Sequence, residues 1–184
     1  MRALPLLALT LLAACDDPFA LTPRVENRAD TVSLWAVSGT PVNRPSAYLM
    51  SRGGFPGTVV RTDRQSSFDI VFDIDTAGRV LLLPTGAVDL GVGSGVLKST
   101  QPFDSITLAP TTGYQDTLGV ALTTGDAAVI RSPLVQCSPV SAPYPLYAKL
   151  RVLTLDLTER RMDFEILENP NCGFRGLEPG LPKR

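Results

Sequence analysis

The chain contains no histidine, and that absence limits its chemistry more than any motif it carries. Without an imidazole there is no Ser-His-Asp or Cys-His nucleophile, no His-ligated zinc and no ready general base near neutral pH. Carboxylates, lysine and tyrosine remain. The spacing Asp73-Ile74-Asp75-Thr76-Ala77-Gly78 has the opening of an oxygen-ligated calcium loop. Ala77 stands where a third oxygen ligand belongs, however, and Pro84 where the closing glutamate belongs. Asp73 and Asp75 are thus weak metal candidates. Together with Asp69 they alternate along a strand and are expected on its solvated face, so neither a metal nor a cofactor is expected. GVGSG, residues 91–95, could cradle a phosphate only with a helix N-terminus behind it, and the following VLKSTQPFD meets Pro102 too soon to supply one. Ser94 and Lys98, read as a Ser-Lys dyad, sit four residues apart in a strand or loop with nothing to bring them together. Glycoside hydrolysis needs one chosen pair of acids, and 18 acidic residues choose none. Trp35, Tyr48, Tyr114, Tyr144 and Tyr147 could line a ligand surface, although aromatics in strands ordinarily pack in the core or across strands. No catalytic residue is assigned.

The cysteines say more about location. After Arg2 the chain runs ALPLLALTLLAA from Ala3 to Ala14. A bilayer span needs roughly 20 apolar residues, so this shorter block reads as the apolar core of a signal peptide, residues 1–14. The four residues Leu12-Ala13-Ala14-Cys15 resemble the lipobox of bacterial lipoprotein precursors. The resemblance implies that the Cys15 thiol takes a diacylglycerol, that cleavage falls just before it, and that the new amino group is acylated. The protein would then sit in the cell envelope outside the cytoplasm, with the membrane as its partner through lipid on Cys15. Each buried CH₂ adds ~0.8 kcal/mol, so two or three acyl chains anchor stably where one holds only marginally. Asp16 follows directly, and the choice between inner and outer membrane stays open. With Cys15 assigned to lipid, Cys137 and Cys172 are left over. An even pair in an oxidising compartment reads as a disulfide, worth ~4 kcal/mol for a loop of about 35 residues on the chain-entropy model. Two free thiols forming a redox pair are the alternative, although the spacing is not CxxC.

These residues need a scaffold. Cleavage after Ala14 would leave one domain's length of chain, and the formal charge of −1 with no basic stripe gives nucleic acid no footprint. Residues 15–30, rich in polar residues and proline, read as the lipidated N-terminus and a tether, and 31–184 as a single β-rich domain. TVSLWAV (31–37) and SAYLM (46–50) are predicted strands. In SFDIVFDIDTAGRVLLLP (67–84), Phe68, Ile70, Phe72 and Ile74 alternate with Asp69, Val71, Asp73 and Asp75, and Thr76-Ala77-Gly78 offers the turn of a hairpin. A second hairpin is predicted around Thr124-Gly125-Asp126. A third is predicted in 149–167, with Leu153, Leu155 and Leu157 on one strand and Met162, Phe164 and Ile166 on the other. The fold class is all-β, an antiparallel β-sandwich or small β-barrel built from hairpins.

NPNCGFRGLEPGLPKR and YAKLRVLTLDL are similar to segments of hypothetical lipoproteins of Gram-negative bacteria, a resemblance that implies no activity. The expected function is a non-catalytic binding or assembly module with an envelope protein partner. A carrier of a small apolar ligand and a carboxylate-dependent hydrolase are the alternatives. A large apolar cavity would mark the carrier, and two acids facing each other across an aromatic cleft the hydrolase.

Overall fold

The computed structural model describes residues 21–182 apart from Val92 and Val140. The expected signal segment 1–14 and the lipidation site Cys15 therefore lie outside the described residues. Ten strands form the fold: β1 (Arg28–Trp35), β2 (Ala47–Leu49), β3 (Thr58–Val60), β4 (Ile70–Ile74), β5 (Val80–Pro84), β6 (Gly95–Lys98), β7 (Val120–Ala121), β8 (Ala127–Val135), β9 (Tyr144–Asp156) and β10 (Arg161–Asn169). They make two five-stranded sheets, ordered β1-β10-β9-β8-β6 and β3-β2-β4-β5-β7, with every pairing antiparallel. The molecule is an all-β sandwich.

Period-two alternation builds its filling. Leu34 of β1, Phe164 and Ile166 of β10, and Leu150 of β9 meet Ile70 and Phe72 of β4 and Leu82 of β5 in one continuous cluster. All seven are fully buried, each stabilising the fold by ~1.5–3 kcal/mol. Two smaller clusters cover the outer faces. On the longer-stranded sheet, Phe103, Ile106, Val129, Tyr147, Leu167 and Leu177 pack beneath the 99–118 connection and the C-terminal segment. Lys149 is buried there, donating to the carbonyls of Phe103 and Ile106 at 3.0 and 2.9 Å. Burial holds its ammonium below the usual lysine range.

Four local readings need correction, each because a long-range partner overrode a local pattern. Phe68 packs on the outer face with Ala47, Val60 and Val71, not with Ile70 and Phe72, because β4 begins only at Ile70. Asp69 is accordingly buried rather than solvated. In the third hairpin the register shifts between Asp163 and Phe164, so that Asp163 faces Thr154 while Phe164 faces Val152. This bulge at Leu153 ends the leucine stripe: Leu150 and Val152 enter the core while Leu153 and Leu157 are exposed. The Thr123–Asp126 turn closes as expected, with Asp126 N–H on the Thr123 carbonyl at 3.0 Å. It joins no hairpin, however, because β7 pairs with β5 and β8 with β6 and β9. The turn is a corner between the sheets.

The domain's first strand begins at Arg28. Two asparagines tie its entry to its exit and a third braces the exit. Asn171 accepts from the amides of Arg24 and Val25 at 2.8 and 3.0 Å, Asn27 donates to the Gly176 and Glu178 carbonyls at 2.9 Å each, and Asn169 donates to Phe174 and Gly176.

Candidate functional site

Along β10 the inward positions run Met162, Phe164, Ile166 and then Glu168, an acid in phase with the core. On β1 the matching inward positions beyond Val32 are Asp30 and Arg28, with Arg28 directly opposite Glu168. Beyond Tyr48 of β2, Arg28, Asp30, Ile166 and Glu168 face the 51–57 loop instead of a strand. A cleft of about 400 Å³ opens there, lined by Arg28, Asp30, Tyr48, Ser51, Phe55, Gly57, Ile166 and Glu168 among others.

Its floor is a hydrogen-bonded cluster. Ser51 gives both its amide, at 3.1 Å, and its hydroxyl to the two Glu168 oxygens, and its hydroxyl oxygen accepts the Gly57 amide at 2.9 Å. The Tyr48 hydroxyl donates to the same carboxylate, while its ring meets Phe164 edge-on with centroids 6.2 Å apart. Gly57 must be glycine: a Cβ there would overlap the Tyr48 hydroxyl and both Glu168 oxygens. Burial pushes Glu168 above the usual carboxylate range against the pull of its three donors. Burial and the nearby Glu168 charge push the Tyr48 phenol far above its usual range.

The rim is shaped by SRGGFPG, residues 51–57. Gly53 and Gly54 both have positive φ, 58° and 89°, and the Arg52 and Phe55 backbones exchange hydrogen bonds of 3.1 and 3.0 Å. This is a two-residue turn that asks for glycine at both central positions. It leaves Phe55 on the rim, 78 % exposed. Behind the loop, Arg52 pairs with the fully buried Asp69, whose other oxygen takes the Met50 amide at 2.7 Å. Burial nevertheless keeps Asp69 above its usual range.

The residues singled out from sequence fall elsewhere, Tyr48 excepted. Asp73 accepts the Ser38 amide and hydroxyl at 3.0 and 2.8 Å. Asp75 accepts the Ala77 and Arg79 amides at 2.9 and 2.8 Å. Asp75 serves as a turn acceptor and Asp73 ties β4 to the stretch after β1, and no group of three or more Cys, Asp or Glu residues is placed to hold a metal among the described residues. Ser94 is buried against Thr85, and Lys98 pairs with Asp126 at 2.6 Å, so the imagined dyad is not assembled. Trp35 stacks under Arg44 at 4.9 Å, and Tyr114 packs beside Tyr147 at 6.5 Å. The aromatics thus occupy separate places. Cys137 and Cys172 form a disulfide with Cα atoms 6.1 Å apart. It ties the stretch after β8 to the stretch after β10 beside a second cleft of about 450 Å³, which shares Val25, Gly54 and Pro170 with the first.

Ser51, Phe55, Gly57 and Glu168 escaped sequence reading. Two signals were present: a Gly-Gly turn followed directly by an aromatic, and an acid in step with three core residues of a strand. Comparison with protein-family models, curated proteins and solved structures gives no match.

Proposed function

We propose that this chain is a cell-envelope lipoprotein, anchored through lipid on Cys15, whose sandwich is a non-catalytic docking module acting through the Glu168 cleft. The observation that carries this reading is the pairing of a rigid, hydrogen-bonded floor with an exposed aromatic on its rim, a buried anchor point beside a large apolar side chain open to a partner. Among the described residues the inter-sheet layer is filled by buried side chains, which weighs against the carrier reading. The buried acids weigh against hydrolysis: Asp69 is engaged by Arg52 and Met50, and Glu168 by Ser51 and Tyr48, rather than facing each other across a groove. No helix among the described residues is long and apolar enough to cross a membrane, so attachment in this reading rests on lipid.

In this reading the tether enters the domain at the cleft end. Leu21 is six residues after Cys15, a reach of at most ~20 Å, and Leu21, Val25 and Gly54 line the second cleft beside the first. The docking end thus stays close to the membrane surface.

A photo-crosslinking residue at position 55, compared with one at the exposed Val42, tests the reading in native envelopes. A defined adduct at 55, absent at 42 and lost in the Cys15→Ser variant, is the expected result. Equal or absent adducts at both positions would remove the cleft as a docking site. An intact mass beginning upstream of Cys15 and bare of acyl chains would remove the anchor.

A further inference from the structure

Among the described residues, Glu168 is a carboxylate that lacks the partner its position calls for. A half-buried ionised acid is ordinarily matched by a cation. Asp69, fully buried nearby, has Arg52. Among the described residues, Glu168 has only the Ser51 amide and hydroxyl and the Tyr48 hydroxyl, which use three of roughly four lone-pair directions on a carboxylate. The groups around it are also acidic on balance. Glu26, Arg28, Asp30 and Glu168 all line the cleft, and Arg28 is engaged with Glu26 at 3.2 Å, which leaves Asp30 and Glu168 without a cation among the described residues; Asp30 accepts the Thr31 amide at 2.7 Å. Phe55, Pro56 and Ile166 supply apolar wall.

Resting on the docking reading above, we infer that the cleft recognises a positively charged group on an apolar stem, an ammonium or guanidinium such as a lysine or arginine side chain of the partner protein, with Glu168 as its counter-ion. The stem lies along Phe55 and Pro56, and the cation takes the open side of the carboxylate and shares the field of Asp30. The Phe55 ring offers the same cation its face. Gly57, Ser51 and Tyr48 hold the carboxylate in place before anything binds, so no side chain need be reordered on docking. Because Glu168 is partly desolvated, its attraction for a cation is stronger than that of a surface acid.

The test uses the full chain, ¹⁵N-labelled in a non-ionic detergent, and follows the Ser51 and Gly57 amides. Three probes of equal stem length are titrated: n-butylammonium, n-butanol and butyrate. Saturable shifts at both amides are expected with n-butylammonium, with affinity at least tenfold above n-butanol and none measurable for butyrate. Glu168→Gln should remove that tenfold preference while its melting curve stays cooperative. In the wild type, binding should also fade as pH falls and Glu168 takes a proton, the probe staying charged throughout. Glu26, Arg28, Asp30 and Tyr48 line the same space and Asp69 acts on Glu168 from behind it, so the pH series is read as the difference between wild type and Glu168→Gln. Equal binding of alcohol and ammonium would overturn the inference, as would an ammonium preference that survives in a folded Glu168→Gln protein. Failure of every probe while the position-55 crosslink still forms would overturn the cation and leave the docking reading standing. Failure of both would remove the two together.

Discussion

The two ends of the sandwich solve the same problem in opposite ways. At one end lie the turns of the β4–β5 and β9–β10 hairpins. There Asp75 and Asp156 are satisfied by their own turns: Asp75 takes amides from Ala77 and Arg79, and Asp156 takes those of Thr158 and Glu159, both at 2.9 Å. Arg160 then clamps the sheets together, donating to the Ser38 carbonyl at 2.8 Å and the Ile74 carbonyl at 2.6 Å. Hydrogen bonds from the Arg79 backbone and side chain hold Asp75 below the usual aspartate range. At the cleft end the acids draw donors from distant sequence, Glu168 from Ser51 across 117 residues, and burial holds both Glu168 and Asp69 above their usual range. The turn end uses its charges to close the chain. The cleft end keeps desolvated charge at some cost to stability, a pattern expected where a surface serves something other than folding.

Perturbations of the cleft end should therefore reach further than those of the turn end. Replacing Cys137 and Cys172 together by serine releases a cross-link spanning 35 residues and should lower stability by ~4 kcal/mol, read as a fall in the urea midpoint. Hydrogen exchange should rise at Asn171 and Val25 and stay unchanged at Gly78. Arg52→Ala comes next. It strands the Asp69 carboxylate, fully buried, with only the Met50 amide, and should cost ~3 kcal/mol. Adding Asp69→Asn should recover part of that loss, because the stranded charge is then gone. No recovery would show that Arg52 acts through packing of its stem rather than through the ion pair.

The turn end was largely legible in sequence, and the cleft end largely was not. Gly78, with Asp75 three residues before it, announces the β4–β5 turn because every group needed to close it lies within five residues. Thr123–Asp126 is equally legible as a turn. What no local pattern carries is the destination of its arms, since Ala121 pairs with Leu81 and Ala127 with Arg151. The bulge at Leu153 is hidden for the same reason: the leucines keep alternating in sequence after the register has shifted in space. Glu168 lay in view, in step with Met162, Phe164 and Ile166, and period two alone puts it on the core face. Its meaning depended on Ser51 and Gly57, whose approach is set by how the two sheets stack.

Arg160→Ala sharpens the contrast from the other side. It removes two charge-assisted hydrogen bonds to carbonyls, each worth more than a neutral one, but at a half-buried site that water can still reach. A loss of ~1–2 kcal/mol in urea denaturation is expected, with no change in probe binding at the cleft. A loss as large as that of Arg52→Ala would erase the difference between the ends.

The smallest effect is the most telling, because its sign distinguishes a folding residue from a site residue. Burial raises the pKa of Glu168 in the folded state, so over a window above the ordinary carboxylate range the native protein keeps a proton that the unfolded chain has released. The contribution of this group to stability is then greatest below the unfolded pKa and declines as pH rises through the folded one. Asp69 acts in the same direction and is present in both proteins, so its own burial cancels when Glu168→Gln is compared with wild type; its repulsion of the Glu168 charge is removed by the variant and adds to the gain. The variant should match wild type in mildly acidic solution and exceed it by on the order of 1 kcal/mol at pH 7, the low end of the cost of a poorly solvated charged group because the cleft admits water. For a domain of this size that is a rise of ~2–4 °C in melting temperature. Addition of n-butylammonium at neutral pH should narrow the gap by stabilising wild type alone. A variant less stable than wild type at pH 7 would make Glu168 one more acid that holds the fold together, like those of the turn end.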